Sequence, residues 1–115
     1  PIAAFQSVQF KLADMLTQTI TARQMIYLAA SKVDVNDPQA ATYCAMAKRL
    51  ATDLSFEVAN EALQLHGGYG YLNEYPLERH VRDLRVHQIL EGTNEIMRVI
   101  VSRQMLQEDG LDSLR

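Results

Sequence analysis

Glu91 is the side chain in this sequence best placed to move a proton. It ends the apolar run Gln88-Ile-Leu-Glu-Gly92 and directly precedes a helix start at Thr93 or Asn94. A carboxylate enclosed there would hold its proton more tightly than in water and serve as a general base. Spacing alone favours a solvated glutamate at an element boundary. The turn Gly67-Gly68-Tyr69-Gly70 would let backbone N–H groups approach a phosphate closely. It follows a helix rather than a strand, so it lacks the dinucleotide-binding context, and a helix stop with a turn accounts for it as well. Tyr69 and Tyr71 beside it offer either edge packing or a stacking surface. His80, Asp83 and His87 share a helical face. Arg79, Arg82 and Arg85 crowd that segment, so ion pairs are expected there and no metal site is. Arg103 stands on the apolar face of the last helix, seven residues after Ile96. It is read either as a stem lying along the stripe's edge or as an anion partner within a site.

These groups need elements to hold them. Between Ile2 and His66 only the Pro38 region interrupts helix, which predicts two long helices. Phe5, Val8, Leu12, Met15, Leu16, Ile20, Ile26 and Tyr27 recur at helical steps, a helix ending near Lys32. Asp37-Pro38 reads as N-cap and first turn of the second. Its stripe is Ala41, Cys44, Ala47, Ala51, Leu54, Val58, Ala62 and Leu65, stopped by Gly67-Gly68. Tyr75-Pro76 opens a third, shorter helix to about Arg85, and residues 86–92 are apolar enough to be extended. The fourth helix carries Ile96, Val99, Ile100 and Leu106 on one face. The expected fold is all-α, an antiparallel up-down four-helix bundle with two long and two shorter helices. Residues 1–107 form the domain and 108–115 a loose tail.

Composition narrows the function. Of 115 residues, 48% are apolar and 22% charged, enough for one core and unlike a disordered chain. A net charge of −3 leaves no basic excess for nucleic acid. The single Cys44 excludes a disulfide framework and a thiolate zinc site. No apolar run reaches the ~18 residues of a membrane span. The chain opens on Pro1 without Met, so it is expected to be a piece of a longer protein.

Three stretches together resemble one family. Gln64-Leu-His-Gly-Gly-Tyr-Gly-Tyr71, Tyr75-Pro76 leading to Arg82-Asp83, and Gln88-Ile-Leu-Glu-Gly-Thr-Asn-Glu-Ile-Met-Arg98 are similar to the C-terminal helical domain of acyl-CoA dehydrogenases. The resemblance spans residues 5–107 and is strongest to short- and branched-chain members of the isobutyryl-CoA dehydrogenase type. It implies FAD as cofactor, an acyl-CoA substrate and Glu91 as the base that removes the α-proton. It implies that Thr93, Asn94 and Glu95 contact FAD, as do Phe5 and Gln6. Gln64, Leu65, His66, Gly67 and Gly68 match a stretch that touches the FAD of a neighbouring subunit, and Arg103 matches a substrate-site arginine. Leu90 stands where several medium-chain members have Tyr, so acyl-pocket shape does not carry over from them. The resemblance further implies a homo-oligomer (dimer or tetramer), electron-transferring flavoprotein as acceptor, and a bacterial cytoplasmic or mitochondrial matrix location. Family members also carry an N-terminal helical domain and a β-domain, so this stretch alone is expected to be inactive. The other class open is a non-catalytic helical module for assembly.

Overall fold

The computed structural model describes residues 1–107 and 110–114. Four helices carry the chain: α1 (Gln6–Asp34), α2 (Ala40–His66), α3 (Leu77–His87) and α4 (Asn94–Met105). Short 3-10 turns lie at Ile2–Ala4, Gly67–Tyr71 and Asp112–Leu114, and no strand occurs among the described residues. The all-α, four-helix expectation holds. Residues 86–92 are not extended: α3 runs through His87 and the chain then turns.

The hub is α2. It packs against α1, α3 and α4, whereas α1 meets neither of the shorter helices. A cleft of about 610 Å³ separates α1 from α3, lined by Ala22, Ile26, Leu54, Val58, Leu77 and Leu84 among others. The pairs Lys11–Glu61, Gln18–Glu57 and Lys32–Tyr43 show α1 and α2 running antiparallel.

The faces that touch follow the predicted stripes only in part. On α2, Ala47 is buried and Ala51, Leu54, Val58, Ala62 and Leu65 are partly buried, whereas on α1 only Val8 and Met15 of the stripe are shielded. On α1 the shielded row is Val8, Met15, Gln18, Ala22, Met25, Ala29 and Lys32. Its steps of three and four mark a narrow seam of the coiled-coil kind, with alanines admitting α2 closely. Phe5, Leu12, Leu16, Ile20, Ile26 and Tyr27 are exposed. On α4 the inward row is Asn94, Met97, Val101 and Gln104, while Ile96, Val99 and Leu106 face out with Arg103. On α2, Ala41 and Cys44 are exposed, and Thr42, Tyr43, Ala45, Ala47 and Ala59 are buried. A helix packed on several sides has no single stripe. The core is therefore thin and alanine-rich, and no large side chain among the described residues is fully buried. The radius of gyration, 17.1 Å, exceeds the ~13 Å of a compact domain of this length.

Asp37 does not cap α2 directly, because the helix begins at Ala40 with Gln39 as its N-cap. Asp37 organises the preceding turn: Oδ1 accepts from the Gln39 N–H at 2.7 Å and Oδ2 from Lys32 Nζ at 2.8 Å. Lys32 also lies 4.9 Å from the centre of the Tyr43 ring, and the Tyr43 hydroxyl donates to the Leu114 carbonyl at 2.7 Å. The hydrogen bond from Lys32, followed by that from Gln39, holds the Asp37 carboxyl below its ordinary value, and the same bond raises Lys32. The depressed carboxylate stabilises the fold above its unfolded pKa, and that contribution is lost as pH falls through the folded value. The raised ammonium stabilises below its unfolded pKa and is lost as pH rises through the folded one. Asp37→Asn should therefore flatten the stability profile below about pH 4 and above about pH 10.5. Urea midpoints across pH check this. An unchanged acid limb would remove the pair from the account.

Candidate functional site: the loop that carries Glu91

Between α3 and α4 the chain closes on itself. The Asn94 N–H donates to the Gln88 carbonyl at 3.0 Å. Thr93 then starts α4 from an extended conformation, its Oγ1 accepting from the Ile96 N–H at 3.3 Å. Inside this closure Glu91 sits at φ +55° and Gly92 at φ +85°. Gly92 adopts this freely. For Glu91 the left-handed conformation costs about 1–2 kcal/mol. Only one other described non-glycine residue has positive φ, Asn36, a type that tolerates it. Such strain persists only where its surroundings enforce it.

The enforcement comes from α2. Lys48 Nζ donates to the Gly92 carbonyl and to Asn94 Oδ1, both at 2.7 Å. Asn94 Nδ2 donates to Asp53 Oδ1 at 2.7 Å and to Thr52 Oγ1 at 2.9 Å. Asp53 Oδ1 also accepts from Gln88 Nε2 at 2.8 Å, so one carboxylate holds both ends of the loop. Its other oxygen faces Arg98 at 3.5 Å and Arg49 at 3.7 Å. Arg85 steadies Gln88 through Oε1 at 3.1 Å.

Asn94 is 3% exposed. Its carboxamide is occupied on both sides by this network, which leaves no group for an external ligand. Through these bonds the Asn94 side chain positions the loop. Glu91 is itself exposed, so apolar enclosure of this carboxylate is not built by the described residues. Lys48, Thr52 and Asp53 were not singled out from the sequence. Their only signal is a polar row at helical spacing on α2.

The remaining site residues form a second group. Phe5 and Gln6 at the start of α1 lie at the same end of the antiparallel pair as Gln64, Leu65, His66, Gly67 and Gly68 at the end of α2. Gln64, His66, Gly67 and Gly68 are exposed and Leu65 is partly so. His66 Nδ1–H donates to the Ala62 carbonyl at 2.8 Å. Gly67 needs its φ of +58° to end α2, and a side chain at Gly70 would strike the Leu63 carbonyl at 2.6 Å. Gly68 has neither constraint: no atom lies within 4 Å of where its Cβ would stand. Its glycine is free for close approach by something outside the chain. Tyr69 tilts against Tyr75, centroids 5.6 Å apart, and Tyr71 is exposed. A cleft of about 770 Å³ lies between this turn, α2 and α3, with Phe56, Leu63, Tyr71, Val86 and Ile89 on its walls.

The two groups are not brought together. Lys48 and Asp53 lie 18 and 13 residues before His66 on α2, roughly 20–27 Å along its axis. Thr93 and Glu95 stand with the Glu91 loop, Glu95 exposed and 3.9 Å from Arg98. Arg103 is exposed near the far end of α4, about 14 Å of helix beyond Asn94. His80, Asp83 and His87 are exposed, and the described residues hold no group of three or more metal-ligating side chains. No helix among the described residues is long and apolar enough to cross a membrane.

The chain was compared with known proteins. Residues 1–106 match the family described as acyl-CoA dehydrogenase, C-terminal domain. A curated relative, mitochondrial isobutyryl-CoA dehydrogenase of Dictyostelium discoideum, is 53% identical over 95% of this chain and 26% of its own length. The chain thus spans about a quarter of the curated relatives it matches. Among solved structures, butyryl-CoA dehydrogenase from Megasphaera elsdenii superposes with a TM-score of 0.90 at 45% identity, over 93% of this chain and 28% of that one. An FAD complex of PigA reaches 0.86 at 32% identity, over 90% and 27%. The matched stretch contains both the glycine turn that ends α2 and the whole loop holding Glu91, and the chain therefore belongs to the acyl-CoA dehydrogenase family, as its C-terminal helical domain.

Proposed function

We propose that this domain serves a flavin-dependent dehydrogenase that forms the α,β-double bond of a short or branched acyl-CoA, with Glu91 as the base. The observation that carries the reading is the strained, left-handed Glu91, locked by Lys48 and, through Asn94, by Asp53. An unfavourable conformation of a carboxylate, held in place by a polar network, fits a group aimed at a reacting atom. In this reading Glu91 takes the α-proton of the thioester and becomes a neutral acid. FAD, when bound, supplies the acceptor for the β-hydride.

The residues present fit that cofactor. The open Gly68 and the exposed carboxamide of Gln64 suit a close-lying ligand, with Phe5 and Gln6 at the same end. Thr93, Asn94 and Glu95, the other proposed flavin contacts, follow the base in sequence. With 20–27 Å of α2 between the groups, the glycine turn serves a different flavin, or a distant part of one, from the flavin beside Glu91. That separation agrees with the turn reaching a neighbouring subunit's FAD. Arg103 is the proposed anion contact to substrate. Enclosure of Glu91, and the desolvation that tunes such a base, would come from the bound cofactor, the substrate and the rest of the longer enzyme. This stretch alone would therefore be inactive. Electron-transferring flavoprotein is the proposed acceptor, in a bacterial cytoplasm or mitochondrial matrix.

A helical assembly role is favoured by one observation, the exposed row Phe5, Leu12, Leu16, Ile20 and Tyr27 on α1. The two roles are compatible in a homo-oligomer, dimer or tetramer. The deciding experiment mixes the full-length protein with isobutyryl-CoA, butyryl-CoA and octanoyl-CoA without oxygen. The expected result is retained flavin that bleaches with the first two. Retained flavin that no acyl-CoA reduces would leave only the assembly role.

A further inference from the structure

We infer that Lys48 is a positioning residue for the proton-abstracting step, acting through the Gly92 carbonyl and Asn94 on the conformation of Glu91. The inference rests on the reading of Glu91 as the base. Lys48 Nζ meets two acceptors at 2.7 Å, one in the backbone of the residue after Glu91 and one in the side chain that opens α4. Gly92 at φ +85° has no side chain to fix it, so its carbonyl is the handle by which the strained peptide can be held. A charged donor at that carbonyl is the strong kind of hydrogen bond. The other ties on the loop, from Gln88 and Asn94 to Asp53, fasten its ends. Among the described residues, only Lys48 makes a side-chain hydrogen bond to the backbone between them.

Release of the Gly92 carbonyl lets Glu91 relax toward negative φ, which re-aims its carboxylate while leaving the loop attached at both ends. A displacement of about 1 Å at a reacting group can cost 100-fold in rate. The loss is expected in the chemical step more than in binding: Lys48 contacts neither the glycine turn nor Arg103, and beside the proposed flavin contacts Thr93 and Glu95 it holds only the Gly92 carbonyl and the Asn94 carboxamide.

The test uses the full-length flavoprotein, with Lys48→Met as the main variant, Lys48→Gln as the second and Lys48→Arg as the conservative rescue. The reading is the anaerobic rate of flavin reduction per bound flavin, against isobutyryl-CoA and butyryl-CoA. Lys48→Met is expected to lower the saturating rate about 10- to 100-fold with flavin content and half-saturating substrate unchanged. Lys48→Arg is expected to recover part of the loss. In a Glu91→Gln background Lys48→Met should slow the residual rate no further, because it acts through the group already removed. A wild-type rate per bound flavin in Lys48→Met or Lys48→Gln overturns the proposal. So does an additive loss in the double variant, or failure of both neutral variants to load flavin. A wild-type rate in Glu91→Gln alone would instead overturn the assignment of the base.

Discussion

Glu91→Gln in the full-length protein is expected to keep its fold and flavin and to lose about 100- to 10,000-fold in the rate of flavin reduction by acyl-CoA. The amide has the shape of the carboxylic acid and holds the same left-handed backbone at the same strain, so stability is expected to change little. It cannot accept the α-proton, and hydride loss from the β-carbon cannot proceed without that acceptance. The effect should therefore fall on the saturating rate, with substrate affinity retained. Glu95→Gln is the control. It removes a carboxylate in the first turn of α4, exposed and 3.9 Å from Arg98, and should alter flavin retention more than chemistry. Anaerobic bleaching of both variants beside wild type makes the comparison. Near-wild-type bleaching by Glu91→Gln would place the base elsewhere.

What the sequence made legible was punctuation. Pro38, Gly67-Gly68, Pro76 and Thr93 divide the chain where the helices divide, to within a few residues. The faces were legible only in part, for a physical reason. Leu12, Leu16 and Ile20 keep helical period as faithfully as Val8, Met15, Ala22 and Ala29, yet only the second set meets α2. Periodicity records that a face is apolar; it is silent on whether the covering surface belongs to the same chain. The extended reading of residues 86–92 failed because an apolar run beside a glycine fits a helix end as well as a strand. At the site, Glu91 was reached from its neighbours in sequence and from a family resemblance. Its positive φ was invisible, since glutamate is not a residue that announces a left-handed turn. Lys48 and Asp53 were invisible because they sit 44 and 41 positions from the groups they hold, and a polar row on a long helix ordinarily faces water.

The place of Asn94 in the loop has a measurable consequence. A residue that only touched a cofactor could be replaced without cost to the apo protein. Held at 3% exposure between Lys48, Thr52 and Asp53, Asn94 should instead decide stability.

Asn94→Asp should destabilise the chain by about 2–4 kcal/mol at pH 8, with the loss shrinking at pH 5. The substitution keeps the oxygen that accepts from Lys48 and replaces the Nδ2 donor by a second oxygen. That oxygen faces Asp53 Oδ1 across the 2.7 Å now spanned by a hydrogen bond. Two ionised carboxylates cannot share that separation at reasonable cost. Arg98 at 3.5 Å and Arg49 at 3.7 Å are farther from Asp53 than the new oxygen would be, so they offset only part of the repulsion. Lys48, at 2.7 Å from the retained oxygen, offsets more, but it already makes that contact with the neutral amide. The pair therefore keeps a proton that the unfolded chain releases near pH 4, and the protonated acid restores the missing donor. Its folded pKa is raised, so its stabilisation is present at low pH and lost as pH rises through the raised value. Asn94→Ala has no proton to recover and should be comparably weakened at both pH values. Urea midpoints of the three proteins at pH 5 and pH 8 read this directly. An Asp variant as stable as wild type at pH 8 would mean that the Asn94–Asp53 bond does not hold the loop, and would leave Lys48 and Gln88 as its ties to α2.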